Sequence, residues 1–150
     1  MKIETLIISI FITSFSLNAY AICNKGEENC WDCGNNCTAR LKAGTLTLSG
    51  TGRARDWFRN EVVPWAESRQ TITSIVFEKG ITSIGSFYGY CENLSEVFIP
   101  DSVKHIDDDA FSYSPNLKTL VIPESVKTIN NGAFRFSGLT TLYCSAENKE

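Results

Sequence analysis

From Ile72 onward the chain repeats itself at a period of about 22 residues. Ile72-Thr-Ser-Ile75-Val-Phe77 is followed by Leu94-Ser-Glu-Val97-Phe-Ile99, Leu117-Lys-Thr-Leu120-Val-Ile122 and Leu139-Thr-Thr-Leu142-Tyr-Cys144, with starts 22, 23 and 22 residues apart. A second apolar pair recurs in each unit: Ile81 with Ile84, Val103 with Ile106, and Val126 with Ile129. An Ala-Phe step follows at Ala110-Phe111 and Ala133-Phe134, with Phe87-Tyr88 in its place one residue early. One such unit cannot bury its apolar face alone, so successive units must stack as the coils of a solenoid, with the core running along the stack.

Within each coil, the fourth and sixth residues point to one side of a strand of period two and the residue between them points to the other. Proline cannot donate to the next ladder bond, so Pro100 and Pro123 end their strands. The triplets Glu78-Lys79-Gly80, Pro100-Asp101-Ser102 and Pro123-Glu124-Ser125 then read as corners. The pattern predicts a parallel sheet and a right-handed stack. Its interior is Ile75, Phe77, Ile81, Ile84, Leu94, Val97, Ile99, Val103, Ile106, Leu120, Ile122, Val126 and Ile129.

The run Leu-x-x-Val-x-Ile-Pro-x-Ser-Val-x-x-Ile-x-x-x-Ala-Phe at 94–111, matched closely at 117–134, resembles the treponemal or BspA-like class of leucine-rich repeat. The preceding segment, with Cys33-Gly34-Asn35, the stretch from Gly44 to Gly52 and Pro64-Trp65, is similar to the leader often found ahead of such repeats. The resemblance implies a secreted or surface-displayed bacterial binding module, with adhesins for host matrix proteins among its relatives. It implies a mode of action without naming a ligand.

Residues 1–21 read as a secretory signal: Lys2, an apolar run from Leu6 to Leu17, and Ala19-Tyr20-Ala21 as a small-x-small cleavage site. That run is too short for a stable membrane span, so the expected mature chain starts at Ile22 with no transmembrane segment. The expected location is secreted, extracellular or at the cell surface, or periplasmic. A net charge of -3 and a pI near 5.2 argue against a nucleic-acid partner, which would select a basic stripe.

Cys23, Cys30, Cys33 and Cys37 crowd the mature start, and an exported chain meets oxidant, so they are the disulfide candidates. Three pairings are open. The alternative is a structural zinc site or a thiol-disulfide redox module built on Cys30 to Cys37, because Cys30-Trp-Asp-Cys33 has both spacings. Cys91 and Cys144 lie in the repeats, too many coils apart to bridge, and read as small buried hydrophobes.

Residues 22–71 form a capping region ahead of the repeats at 72–150, which comprise three coils and part of a fourth. In that region Thr38 to Leu41 and Thr45 to Ser49 flank Lys42-Ala43-Gly44 as a hairpin. Pro64 is placed to open a short helix through Glu67 and Arg69. Trp31, Trp57 and Trp65 read as a cover for the open end of the first coil, an edge that would otherwise invite aggregation. The predicted fold is a β-rich leucine-rich-repeat solenoid: a parallel sheet of stacked coils under a disulfide-stapled β-hairpin cap. After Gly138 only half a coil remains, ending in the polar run Ser145 to Glu150. That run either blunts the last edge or precedes further chain, and no sorting signal or C-terminal anchor is visible.

The outward strand positions Val76, Phe98, Val121 and Tyr143 line up as an apolar docking stripe, with ladder packing between neighbouring strands as the competing account. Lys104 and Lys127 align on the second run and complete the partner-binding candidates. Asp107-Asp108-Asp109 cannot all face one ion and reads as solvated. The one histidine, His105, takes the place held by Ser83 and Thr128 in neighbouring coils, so it reads as a variable surface position. No phosphate loop, paired-histidine metal motif or nucleophile arrangement is present, so the expectation is no enzyme and no cofactor. The expected function is non-catalytic, adhesion-like binding of an extracellular protein or glycan.

Overall fold

Leu46 and Leu48 alternate with threonines, which gives a strand one apolar face. In the computed structural model, which describes Cys23 and residues 27–57, 61–86 and 88–145, that strand is β3 (Thr45–Gly50). It pairs antiparallel with β2 (Cys37–Lys42), which pairs antiparallel with β1 (Cys30–Gly34). The β2–β3 loop is Ala43-Gly44, with φ of 48° and 81°, the left-handed pair that a tight hairpin demands. The cysteine-rich segment that forms β1 shows no strand alternation, and its pairing with β2 makes it one. The signal-like residues 1–21, Phe87 and the run 146–150 lie outside the described residues.

β3 continues into the repeats as a parallel neighbour. Leu46 and Leu48 pair with Ile75 and Phe77 of β5 (Ser74–Phe77), and Ile75 pairs with Val97 of β7 (Glu96–Phe98). A second parallel sheet runs along the other side in the order β10-β8-β6-β4. Its strands are β4 (Gly52–Arg53), β6 (Ile81–Ile84), β8 (His105–Ile106) and β10 (Thr128–Ile129). β9 (Thr119–Pro123) and β11 (Thr141–Ser145) form a separate parallel pair. The single continuous sheet expected from the repeats is therefore interrupted. β9 does not join the ladder of β7, and the break coincides with the one 23-residue interval, Leu94 to Leu117.

Side chains hold the corners in register across one coil. Ser102 Oγ donates to the Ile81 carbonyl at 2.8 Å and Ser125 Oγ to that of Val103 at 2.7 Å, which explains the serine of each Pro-x-Ser corner. Asn93 and Asn116 likewise donate to the carbonyls of Gln70 and Glu92, both at 2.7 Å. Each bond gives a backbone carbonyl about one repeat earlier in the chain a side-chain donor.

Ten of the thirteen expected interior residues are buried, from Ile75 through Ile122. Ile99 and Val126 only pack partly against that core, and Ile129 is 42 % exposed. Ile129 sits in β10, the terminal strand of its sheet, so one side of it lacks the cover that β8 receives from both neighbours. Cys144 is corrected for the same reason: it holds the register of buried Ile122 but is exposed on β11, an edge strand.

Cys91 is buried, and burial pushes its thiol pKa up to about 12. Native alkylation is therefore expected to modify Cys144 and spare Cys91 until the protein is denatured, as intact-mass analysis would report. Modification of both thiols in the native protein would contradict this burial.

In the leader, Trp65 is fully buried at the centre of an aromatic cluster. Its ring centroid lies 6.1 Å from Trp31, 5.7 Å from Trp57 and 5.5 Å from Tyr88. The cluster runs on through Phe77 and Phe111 into the repeats. The short helix is a 3-10 turn over Ala66–Thr71, starting two residues after Pro64 rather than at it.

Candidate functional site

The break between β7 and β9 leaves a cleft of about 570 Å³ on the strand face. It is lined by Ser95, Glu96, Val97, Phe98, Ile99, Thr119 and Val121. Phe98 and Val121 occupy the outward position of their strands, flanked by buried Val97 on one and by Leu120 and Ile122 on the other. They are 54 % and 48 % exposed, and Tyr143, paired with Val121 across β9 and β11, is 57 % exposed. Val76 pairs with Phe98 but is half-buried. The stripe is thus three exposed side chains on two sheets, with polar Glu96 and Thr119 beside the gap. This is a mixed surface that can take a macromolecule's apolar side chain and hydrogen-bond its rim.

Lys104 and Lys127 do not belong to this cleft. They are stacked on the other run, where the Lys127 amide donates to the Lys104 carbonyl at 2.7 Å and the Lys104 amide to that of Thr82 at 2.7 Å. Both are exposed, separated from the stripe by the Pro100 and Pro123 corners. His105 is exposed beside them, with Nδ1 at 2.8 Å from Thr128 Oγ1.

All four leader cysteines are in disulfides, Cys23–Cys30 and Cys33–Cys37. Cys30 and Cys33 therefore belong to different bonds. The pair is not a redox couple, and sulfurs bonded to each other supply no thiolate for zinc. The bonds support the disulfide reading of the four cysteines over the alternative of a zinc or redox module on Cys30 to Cys37.

Asp107 departs from the solvated reading. Its carboxylate forms an ion pair with Arg53 at 2.9 Å and accepts hydrogen bonds from Ser83 Oγ at 3.2 Å and Asn130 Nδ2 at 3.3 Å. Arg53 also pairs with Asp56, whose Oδ1 accepts from the Ser86 amide at 3.0 Å. The aspartate so fastens three consecutive coils and the leader. Among the described residues, no three His, Cys, Asp or Glu side chains are grouped to hold a metal ion. No helix there is long and apolar enough to cross a membrane.

The returns of the coils carry a feature that the repeat alignment passed over. Tyr90, Tyr113 and Phe136 follow one another as a row of rings, the first two stacked with centroids 4.6 Å apart and Phe136 tilted against Tyr113 at 4.8 Å. Their signal in the sequence is an aromatic at every 23rd residue.

The family model described as BspA type Leucine rich repeat region (6 copies) matches residues 67–150. A leucine-rich repeat protein from Eubacterium ventriosum is similar in fold, with a TM-score of 0.57 and 22 % identity over 77 % of this chain and 40 % of that one. A leucine-rich repeat protein from Bacteroides capillosus gives a TM-score of 0.51 and 24 % identity over 79 % of this chain and 100 % of that one. No curated protein matches the chain. The chain thus spans less than half of the first solved structure and the whole of the second. With its repeat region matched and its parallel strands stacked at the repeat interval, the chain belongs to the BspA-type leucine-rich repeat family.

Proposed function

We propose that this chain is an exported, non-catalytic recognition module that holds an extracellular protein or glycan against its strand face. In this reading residues 1–21 are the secretory signal, residues 22–71 a disulfide-stapled hairpin cap, and residues 72–150 a leucine-rich-repeat solenoid. The exported module works outside the cytoplasm, at the cell surface or in the medium. The observation that carries the reading is the cleft between β7 and β9, where Phe98 and Val121 stand exposed beside Glu96 and Thr119. Soluble surfaces rarely leave such side chains in a row without a partner. Lys104 and Lys127 offer a second, peripheral contact for an acidic rim of that partner.

Aromatic anchors at the middle of an interface carry most of its energy, on the order of 2 kcal/mol each. Replacing Phe98 and Tyr143 with serine is expected to weaken capture from an extracellular-matrix and glycan panel at least tenfold, with the circular dichroism unchanged. Capture at undiminished affinity by this folded variant would remove the strand face as the recognition element.

A further inference from the structure

The aromatic row on the returns has an unusual backbone. Tyr90, Tyr113 and Phe136 have φ of 59°, 56° and 55°. Glycine or asparagine fits that left-handed region with little cost, whereas a bulky L side chain is strained in it. Burial does not offset the strain: Tyr113 is 43 % and Phe136 64 % exposed. Strain repeated at three aligned positions in consecutive coils, one half-buried and two exposed, directs attention to what these side chains meet at the surface.

Cations flank the row. The Arg69 guanidinium lies 5.5 Å from the ring centre of Tyr90, and that of Arg135 lies 5.9 Å from Phe136. Among the described residues neither arginine forms an ion pair, whereas Arg40, Arg53 and Arg55 each hold a carboxylate. Lys118, on the turn that leads out of this edge, donates to the Pro115 carbonyl at 2.8 Å and forms no ion pair there either. Asp109 is an acidic neighbour, its Oδ1 and the Arg135 side chain both lying close to Gly132. In a chain of net charge -3, unpaired cations gathered on one edge call for an anionic complement.

The rings also say which anion. The Tyr90 faces are taken by Tyr113 and Arg69 and those of Tyr113 by Tyr90 and the tilted Phe136, so neither tyrosine offers an open face for a sugar ring to stack on. The exposed edges of Tyr113 and Phe136, the positive pole of the aromatic quadrupole, and the Tyr113 hydroxyl remain for a partner. The row spans just over 9 Å from Tyr90 to Phe136, which three or four residues of extended polypeptide cover. We propose that this edge binds an extended acidic polypeptide segment. The segment's carboxylates meet Arg69, Lys118 and Arg135, and its apolar side chains lie along the ring edges. This site is separate from the strand face and uses none of its residues.

The test is retention of the purified protein on an immobilised glutamate–tyrosine copolymer at low salt, with hyaluronan as a carboxylate-bearing glycan for comparison. Retention on the copolymer that falls as salt rises is expected. Tyr113→Asn, which keeps a side chain suited to the left-handed backbone, should weaken it at least tenfold without lowering the Tm. Arg69→Gln with Arg135→Gln should do the same and keeps the test valid if Tyr113→Asn is unstable. Asp109→Asn should strengthen retention, because it removes from this edge a carboxylate that repels an acidic segment. Absence of retention, retention untouched by both sets of variants, equal retention on hyaluronan, or loss on Phe98→Ser would each overturn the proposal.

Discussion

Replacing Ile75 with aspartate is expected to leave the protein unfolded at room temperature, while replacing Lys104 with aspartate leaves it folded. Ile75 is completely buried between Leu46 of the leader and Val97 of the next coil. No cation neighbours it in either strand, so a carboxylate there is unpaired and costs several kcal/mol, on the order of a small domain's whole stability. Lys104 is exposed and forms no ion pair among the described residues. Exposed sites of this kind change stability by less than about 0.5 kcal/mol. Urea titrations of the two variants separate the cases, and equal tolerance would contradict the stacked core.

The second large effect lies in the leader. Trp65→Ala is expected to cost about 3–5 kcal/mol through the cavity it opens, and to lower the Tm by on the order of 10 °C. The indole touches Trp31 and Trp57 on the leader side and Tyr88 on the repeat side, so its loss separates the two parts of the core. Burial also raises the pKa of the Tyr88 hydroxyl, which donates to the Arg55 carbonyl at 3.1 Å. That bond ties the first return to the leader and stays intact through the alkaline range in which exposed tyrosines ionise. If Trp65→Ala were to unfold at the wild-type temperature in a thermal melt, the leader would be shown to be dispensable to the repeats.

The strand positions, the Pro-x-Ser corners, the leader hairpin and most of the core are legible in the sequence. Each is written in local spacing: Leu46 and Leu48 by alternation, Ile75 and Val97 by the repeat interval. What escaped it depends on neighbours that spacing does not describe. Ile129 and Cys144 hold core positions in the pattern, yet each stands on a strand with a neighbour on one side only. The gap between β7 and β9, which turns the strand face into a cleft, arises from how two coils sit against each other. Nothing in Phe98 or Val121 alone announces it. The Asp107 network joins residues from Arg53 to Asn130, a separation at which an acidic run reads only as solvated. The aromatic row was within reach, since its 23-residue interval is printed in the chain. Its left-handed backbone, which gives the row its meaning, was not.

The most direct measurement is hydrogen–deuterium exchange of the protein alone and with the partner captured from the matrix and glycan panel. Slowed exchange on binding is predicted at residues 95–99 and 119–121, the two walls of the cleft, with β1 and β2 unchanged. Protection confined to the leader at residues 30–53, with the cleft walls exchanging as in the free protein, would contradict recognition through the strand face.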